Sequence, residues 1–183
     1  MNKAAHQLIS LSCLCLLTLS ACSTSSTVKP DINPHLQTIH RAYEHAVNSI
    51  QQDSTHVWHH GRLGNTIVNL QGPPHIGLCY HWQELVHNGI KNAVKKTGWK
   101  MAGIAINEGN FLEHHAVLVY DPALLKLDDI LKYKNKSISY VLDPWGSGEP
   151  RIYTVGQWLQ LAVNIEEQPR LTEIRPGLLT VMP

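Results

Sequence analysis

Positions 78–94 constrain the chain most. Leu78, Trp82, Leu85, Val86, Ile90, Ala93 and Val94 recur at the 3.6-residue period and mark one face of a helix. Lys91, Lys95 and Lys96 sit toward its C-terminal end, where cations suit the helix dipole, and Gly98 is placed to terminate it. A loop containing Gly72, Pro73, Pro74 and Gly77 leads into it. The spacing predicts about five turns beginning at Cys79, with an apolar face that the rest of the chain has to cover.

The segments before and after supply that cover. Asn33-Pro34 reads as an N-cap followed by proline at the first helical position, and Leu36, Ile39, Tyr43, Val47 and Ile50 follow at helical spacing. A helix is expected over 34 to about 52. Residues 66–70 suit a short extended piece before the Gln71-Gly72-Pro73-Pro74 turn. Strands are expected over 99–106, 115–120, 138–143 and 151–155, with a turn at 107–110. Segment 121–136 allows either a short helix or a long hairpin insertion. Thr154-Val155-Gly156-Gln157 fits a capping box opening a helix through Trp158 and Leu159. The tail from Pro169 offers at most an edge strand. Helices first and an antiparallel sheet after them define an α+β domain over 33–183.

The first 32 residues stand outside that domain. Lys3 is the only charge among the first 21, and the apolar run 8–19 is too short for a bilayer, which needs roughly 20 residues. The run ends in Leu19-Ser20-Ala21-Cys22, which resembles the lipobox of bacterial lipoproteins. That resemblance implies a signal peptide over 1–21, a diacylglycerol on the Cys22 sulfur, and, with Ser23 next, an outer-membrane anchor facing the periplasm. Residues 22–32 are then the lipidated cysteine and a polar tether. Of 15 Lys and Arg, Lys3 leaves with the signal peptide, so the basic side chains balance the 14 acidic ones. No basic stripe marks a nucleic-acid surface. Nothing in the composition bears on the oligomeric state.

Cysteine arithmetic sharpens the reading. Of four cysteines, Cys13 and Cys15 fall in the signal peptide and Cys22 is the lipid site, which leaves Cys79 as the one thiol of the domain. It cannot form an intramolecular disulfide. A lone thiol in an oxidising compartment is a liability unless it is buried or used. At a helix start, the unpaired N–H groups favour thiolate over thiol.

Two further fragments complete a nucleophile's needs: His114-His115-Ala116-Val117 at a strand start and Leu142-Asp143-Pro144-Trp145 at a strand end. A thiol nucleophile requires a base that becomes an acid, a group that holds that base, and donors for the oxyanion. His115 is the expected base and Asp143 its orienting carboxylate. Trp82 and Trp145 are expected to wall or shield the site, and the Cys79 N–H is an oxyanion donor. His114 and His115 point to opposite faces of a strand, so only one can meet Cys79. Taken singly, each member also fits a structural role: a buried thiol, a packing histidine, a turn aspartate before proline. His81 reads as a surface residue or pocket wall, and Asp121-Pro122 as a decoy of Asp143-Pro144. His56, His59 and His60 lack the spacing and neighbours of a zinc site, so no metal is expected.

Cysteine on a helix N-terminus, then His115-Ala116-Val117, then Asp143-Pro144 resembles the papain-fold superfamily, most closely its transglutaminase-like branch, which includes many bacterial peptidases. The resemblance covers about 71–155. It implies a papain-like fold with N-terminal helices packed on an antiparallel sheet, and a Cys79–His115–Asp143 triad that cleaves or transfers an amide or isopeptide bond without a cofactor. It also makes Gln71 an oxyanion candidate, although Gln71 lies eight residues before the cysteine where the family usually has about six. Peptides, including those of peptidoglycan, are the implied substrates. A non-catalytic papain-like binding lipoprotein of the envelope is the alternative, and a metal-binding or thiol-redox lipoprotein ranks behind both.

Overall fold

A computed structural model describes residues 33–161 and 169–174. Residues 1–32 fall outside these, so the signal peptide, Cys22 and its tether lie beyond the described residues. Among the described residues the chain forms four α-helices and seven strands: α1 (Pro34–Ser49), β1 (Val57–Trp58), α2 (Gly61–Gln71), β2 (His75–Ile76), α3 (Cys79–Thr97), β3 (Lys100–Ile106), β4 (His114–Tyr120), β5 (Ser139–Leu142), β6 (Ile152–Thr154), α4 (Val155–Leu161) and β7 (Arg170–Thr172). The class is α+β. Five strands form one antiparallel sheet in the order β6-β5-β4-β3-β7, while β1 and β2 make a separate parallel pair.

The caps are the ones the sequence announces. Asn33 accepts from His35 N (2.8 Å) and Leu36 N (3.1 Å), satisfying two donors that the first turn of α1 leaves open. Gly98 closes α3 at φ 75°. Thr154 and Gln157 exchange hydrogen bonds at the start of α4, with Thr154 N donating to Gln157 Oε1 (2.8 Å) and Gln157 N to Thr154 Oγ1 (3.2 Å). The expected tail strand is β7, on the sheet edge beside β3.

The sheet is buried on both faces. Leu36, Tyr43, Trp82 and Ile90 from α1 and α3 meet Val117, Val119 and Leu142 on one face. On the other, Ile104, Leu118 and Val141 meet Trp158 of α4 together with Leu125 and Ile130. Segment 121–138 is neither a regular helix nor a hairpin. It holds one short 3-10 turn, Leu127–Asp129, and lays its apolar residues over the second face. Among the described residues, that face would otherwise have only α4 to cover it.

One local expectation is overturned. Residues 66–70 are not extended but belong to α2. The buried positions of this helix are Gly64 and Val68, while Leu63 and Leu70 are 74% and 80% exposed. A Cβ at Gly64 would stand 3.0 Å from the His59 Cβ, so the helix packs through a glycine and leaves no apolar period to read.

Candidate active site

The loop before α3 sets the position of Cys79. Gly77 has φ 128°, and a Cβ there would lie 2.0 Å from the His59 carbonyl oxygen. The same carbonyl accepts from Trp82 Nε1 at 2.9 Å, and His59 N donates to Ile76 O at 2.9 Å. Backbone thus lies directly on backbone one turn ahead of the thiol, which only glycine permits. His81, expected at the surface, is instead 2% exposed. Its Nδ1 accepts from Gly77 N (3.1 Å) and Leu78 N (3.2 Å), so an imidazole at the third helical position does the work usually given to the Glu or Gln of a capping box. Burial is the main cause that pushes the His81 pKa down to about 4, keeping the ring neutral and able to accept.

Cys79 is 6% exposed. Its Sγ lies 4.0 Å from the Glu113 carbonyl oxygen, at the mouth of β4. The histidine that meets it is His114, not His115. Strand β4 begins one residue earlier than expected, and its register decides the matter. Val117 pairs with Leu142 and Leu118 with Val141, so one step further along the ladder Asp143 falls opposite Ala116. Residues directly opposite share a face, and alternation puts His114 on that face with Ala116. His114 Nε2 is 2.7 Å from Asp143 Oδ2. His115 takes the other face, is 5% exposed, and pairs its Nε2 with Glu113 Oε1 at 2.5 Å.

The His114–Asp143 pair is buried and heavily supported. Asp143 Oδ2 also accepts from Trp158 Nε1 (2.7 Å), and Oδ1 accepts from Trp145 N (3.1 Å). The imidazole lies between two indoles, with Trp145 at 4.5 Å and Trp158 at 5.4 Å between ring centres. Burial opposes a charge on His114. The Asp143 carboxylate outweighs it through charge and hydrogen bonding, and the Cys79 thiol adds to the effect, so the His114 pKa is raised to about 10. Burial likewise opposes ionisation of Asp143, yet His114, Trp158 and Trp145 N together hold its pKa below the ordinary value. With Nε2 committed to Asp143, the remaining nitrogen is Nδ1, which is buried and makes no conventional hydrogen bond. Besides Asp143, the group that acts on the ring is Cys79, which favours the charged imidazole although no hydrogen bond joins Sγ to Nδ1. Such contacts are commonly long before a substrate is bound.

Beside His114 and Asp143 opens a cleft of about 510 Å³. Trp145, Trp158 and Leu112 line it, together with Arg62, Asn65, Thr66 and Asn69 of α2, whereas Cys79 is not among the lining residues. Helix α2 is fastened there by Gly61 N donating to Trp145 O (2.6 Å) and Trp145 Nε1 donating to Asn65 Oδ1 (3.0 Å). Asn107 also lines the cleft, 1% exposed and at φ 52°, a left-handed position outside glycine.

The other expected positions separate. Trp145 covers the His114–Asp143 contact. Trp82 is 1% exposed in the core against Trp58, with 4.9 Å between ring centres, and is not a cleft wall. Gln71 is the exposed last residue of α2 and does not line the cleft, because the extra helix carries it to the solvent side of the Gly72 turn. Asp121 binds Ala123 N within its own turn. His59 pairs with His75 (2.8 Å) and His56 with Asp53 (2.9 Å). No group of three metal-capable side chains occurs among the described residues, and no helix among them is long and apolar enough to cross a membrane.

Sequence reasoning missed Trp158 as the third donor to Asp143, His81 as the cap of the nucleophile helix, and α2 as a wall. The capping box placed Trp158 on a helix, but nothing local says where its N–H points. No family model matches this chain, and no curated protein or solved structure matches it.

Proposed function

We propose that the protein is a cysteine hydrolase of the papain-like, transglutaminase-like kind, opening an amide or isopeptide bond with Cys79, His114 and Asp143. One observation carries the reading: a buried imidazole held by a carboxylate, its second nitrogen unpaired, with the lone thiol of the domain acting on it from a helix start.

In this reading the sulfur attacks the carbonyl carbon as thiolate, and the oxyanion that forms meets the Cys79 N–H at the first position of α3. His114 gives its proton to the departing nitrogen, the C–N bond breaks, and an acyl-thioester remains on Cys79. Water, or an amine, then attacks the thioester. His114 takes the incoming proton, and the acyl group leaves as acid or as a new amide. Asp143 keeps Nε2 occupied throughout, so Nδ1 is always the nitrogen that exchanges protons. No cofactor is needed for any of these steps.

The sequence before residue 33 supports a place for this chemistry. Lipidation at Cys22 would tether the domain to the outer membrane on its periplasmic side, where peptidoglycan peptides are within reach. The test is to incubate wild type and Cys79→Ala with purified cell-wall fragments and read the products by mass spectrometry. New peptide or amine products from wild type alone are expected. Identical spectra from the two proteins would contradict cleavage of this polymer. The 6% exposure of Cys79 favours a second reading, a papain-like envelope scaffold that binds without cleaving. In that case Cys79→Ala would fully complement a deletion strain.

A further inference from the structure

The charges lining the cleft are unequal in one respect. Both carboxylates are fully engaged: Asp143 accepts through both oxygens, and Glu113 gives Oε1 to His115 and Oε2 to Gly109 N (2.6 Å). Arg151 is held by Glu149 Oε2 at 2.8 Å and 3.1 Å. Arg62 lines the same cleft and, among the described residues, has no ion-pair partner. It is exposed on α2, on the face that also presents Asn65 and Asn69. Asn65 spends its carbonyl oxygen on Trp145, which leaves its amide N–H groups available as donors. This side of the cleft therefore offers donors and a cation that lacks an acceptor, in a lining that also contains two indoles and a leucine.

We infer that the substrate is a peptide carrying a free carboxylate close to the bond to be opened, and that Arg62 receives that carboxylate while the α2 carboxamides hold the neighbouring peptide groups. A guanidinium in a walled cleft concentrates anions there and can pair a carboxylate through two parallel N–H groups. Selection is then by charge on one side of the acyl group and by apolar contact with Trp145 and Trp158 on the other. The inference rests on Cys79 being the nucleophile that this cleft serves; the thiol is not in the cleft lining but lies beside two residues that are, Glu113 and His114.

Two reagents that differ only in the carboxylate test it. Iodoacetate and iodoacetamide both alkylate a reactive thiol, and their rates at Cys79 are compared at low ionic strength in wild type, Arg62→Ala and Arg62→Lys. Arg62 is exposed, so neither substitution threatens the fold. The expected result is that Arg62→Ala slows iodoacetate about threefold or more relative to iodoacetamide, while Arg62→Lys keeps most of the preference and 0.3 M salt erases it. An unchanged ratio in Arg62→Ala overturns the anionic-substrate inference and leaves the nucleophile standing. No modification of Cys79 by either reagent overturns the hydrolase reading and this inference with it.

Discussion

His114→Ala will slow alkylation of Cys79 by iodoacetamide at pH 7 by about tenfold or more, whereas His115→Ala will change it by less than about twofold. The asymmetry follows from strand alternation. The His114 ring is the one held between Asp143 and the thiol, and its proton is retained by a buried carboxylate 2.7 Å away. Removing it deletes the cation that faces the sulfur and leaves Asp143 as a buried carboxylate without its counter-charge. His115 interacts with Glu113 on the opposite face, so its loss is a stability effect, felt where β4 joins the 107–113 loop. Thermal melts of both variants separate the two outcomes. Comparable slowing by His115→Ala at unchanged melting temperature would contradict the assignment.

Gly77→Ala will cost about 3–5 kcal/mol, combining a strained backbone with an unavoidable clash. Neither part can relax cheaply. The φ of 128° disfavours any side chain, and the atom in the way is the His59 carbonyl oxygen, itself fixed by Trp82 Nε1. Since folded domains are stable by only about 5–15 kcal/mol, the melting temperature should fall by about 10 °C or more. Gly72→Ala is the control. Gly72 also has positive φ, at 63°, but a Cβ there meets nothing within 4 Å, so Gly72→Ala should lose only the backbone strain, about 1–3 kcal/mol. Equal losses in the two variants would show that the approach to His59 is not what holds the loop.

Much of the fold was legible because it rests on local signals. Asn33-Pro34 opened α1, the apolar face from Leu78 to Val94 gave α3, and Thr154 with Gln157 opened α4. Helix α2 was not legible, since its packing surface is Gly64 and its leucines face solvent. Segment 121–136 was ambiguous because its leucines and Ile130 cover the sheet from an irregular backbone, which has no period.

The site was legible in its residue types and wrong in one parity. Cys79 and Asp143 fall where the motifs put them, but choosing between His114 and His115 requires the register of β4 against β5. Register is a tertiary property: a shift of one residue would have exchanged the two rings. Gln71 failed for a related reason. Its distance in sequence from Cys79 was readable, whereas the helix carrying it away was not. His81 was misjudged because the position three residues before it is Leu78, so the Ser or Thr that announces a capping box is missing.

Catalysis in this site turns on an imidazolium at position 114, held by Asp143 and influenced by Cys79. The most direct measurement is a ¹H–¹⁵N titration of the histidine rings, with His114 assigned by comparison with His114→Ala. The account predicts that at pH 8, where an ordinary histidine is neutral, the His114 ring still carries both protons, and that Asp143→Asn brings its titration down toward the ordinary range. A His114 ring that titrates near 6.5 in the wild type, indifferent to the residue at 143, would contradict it.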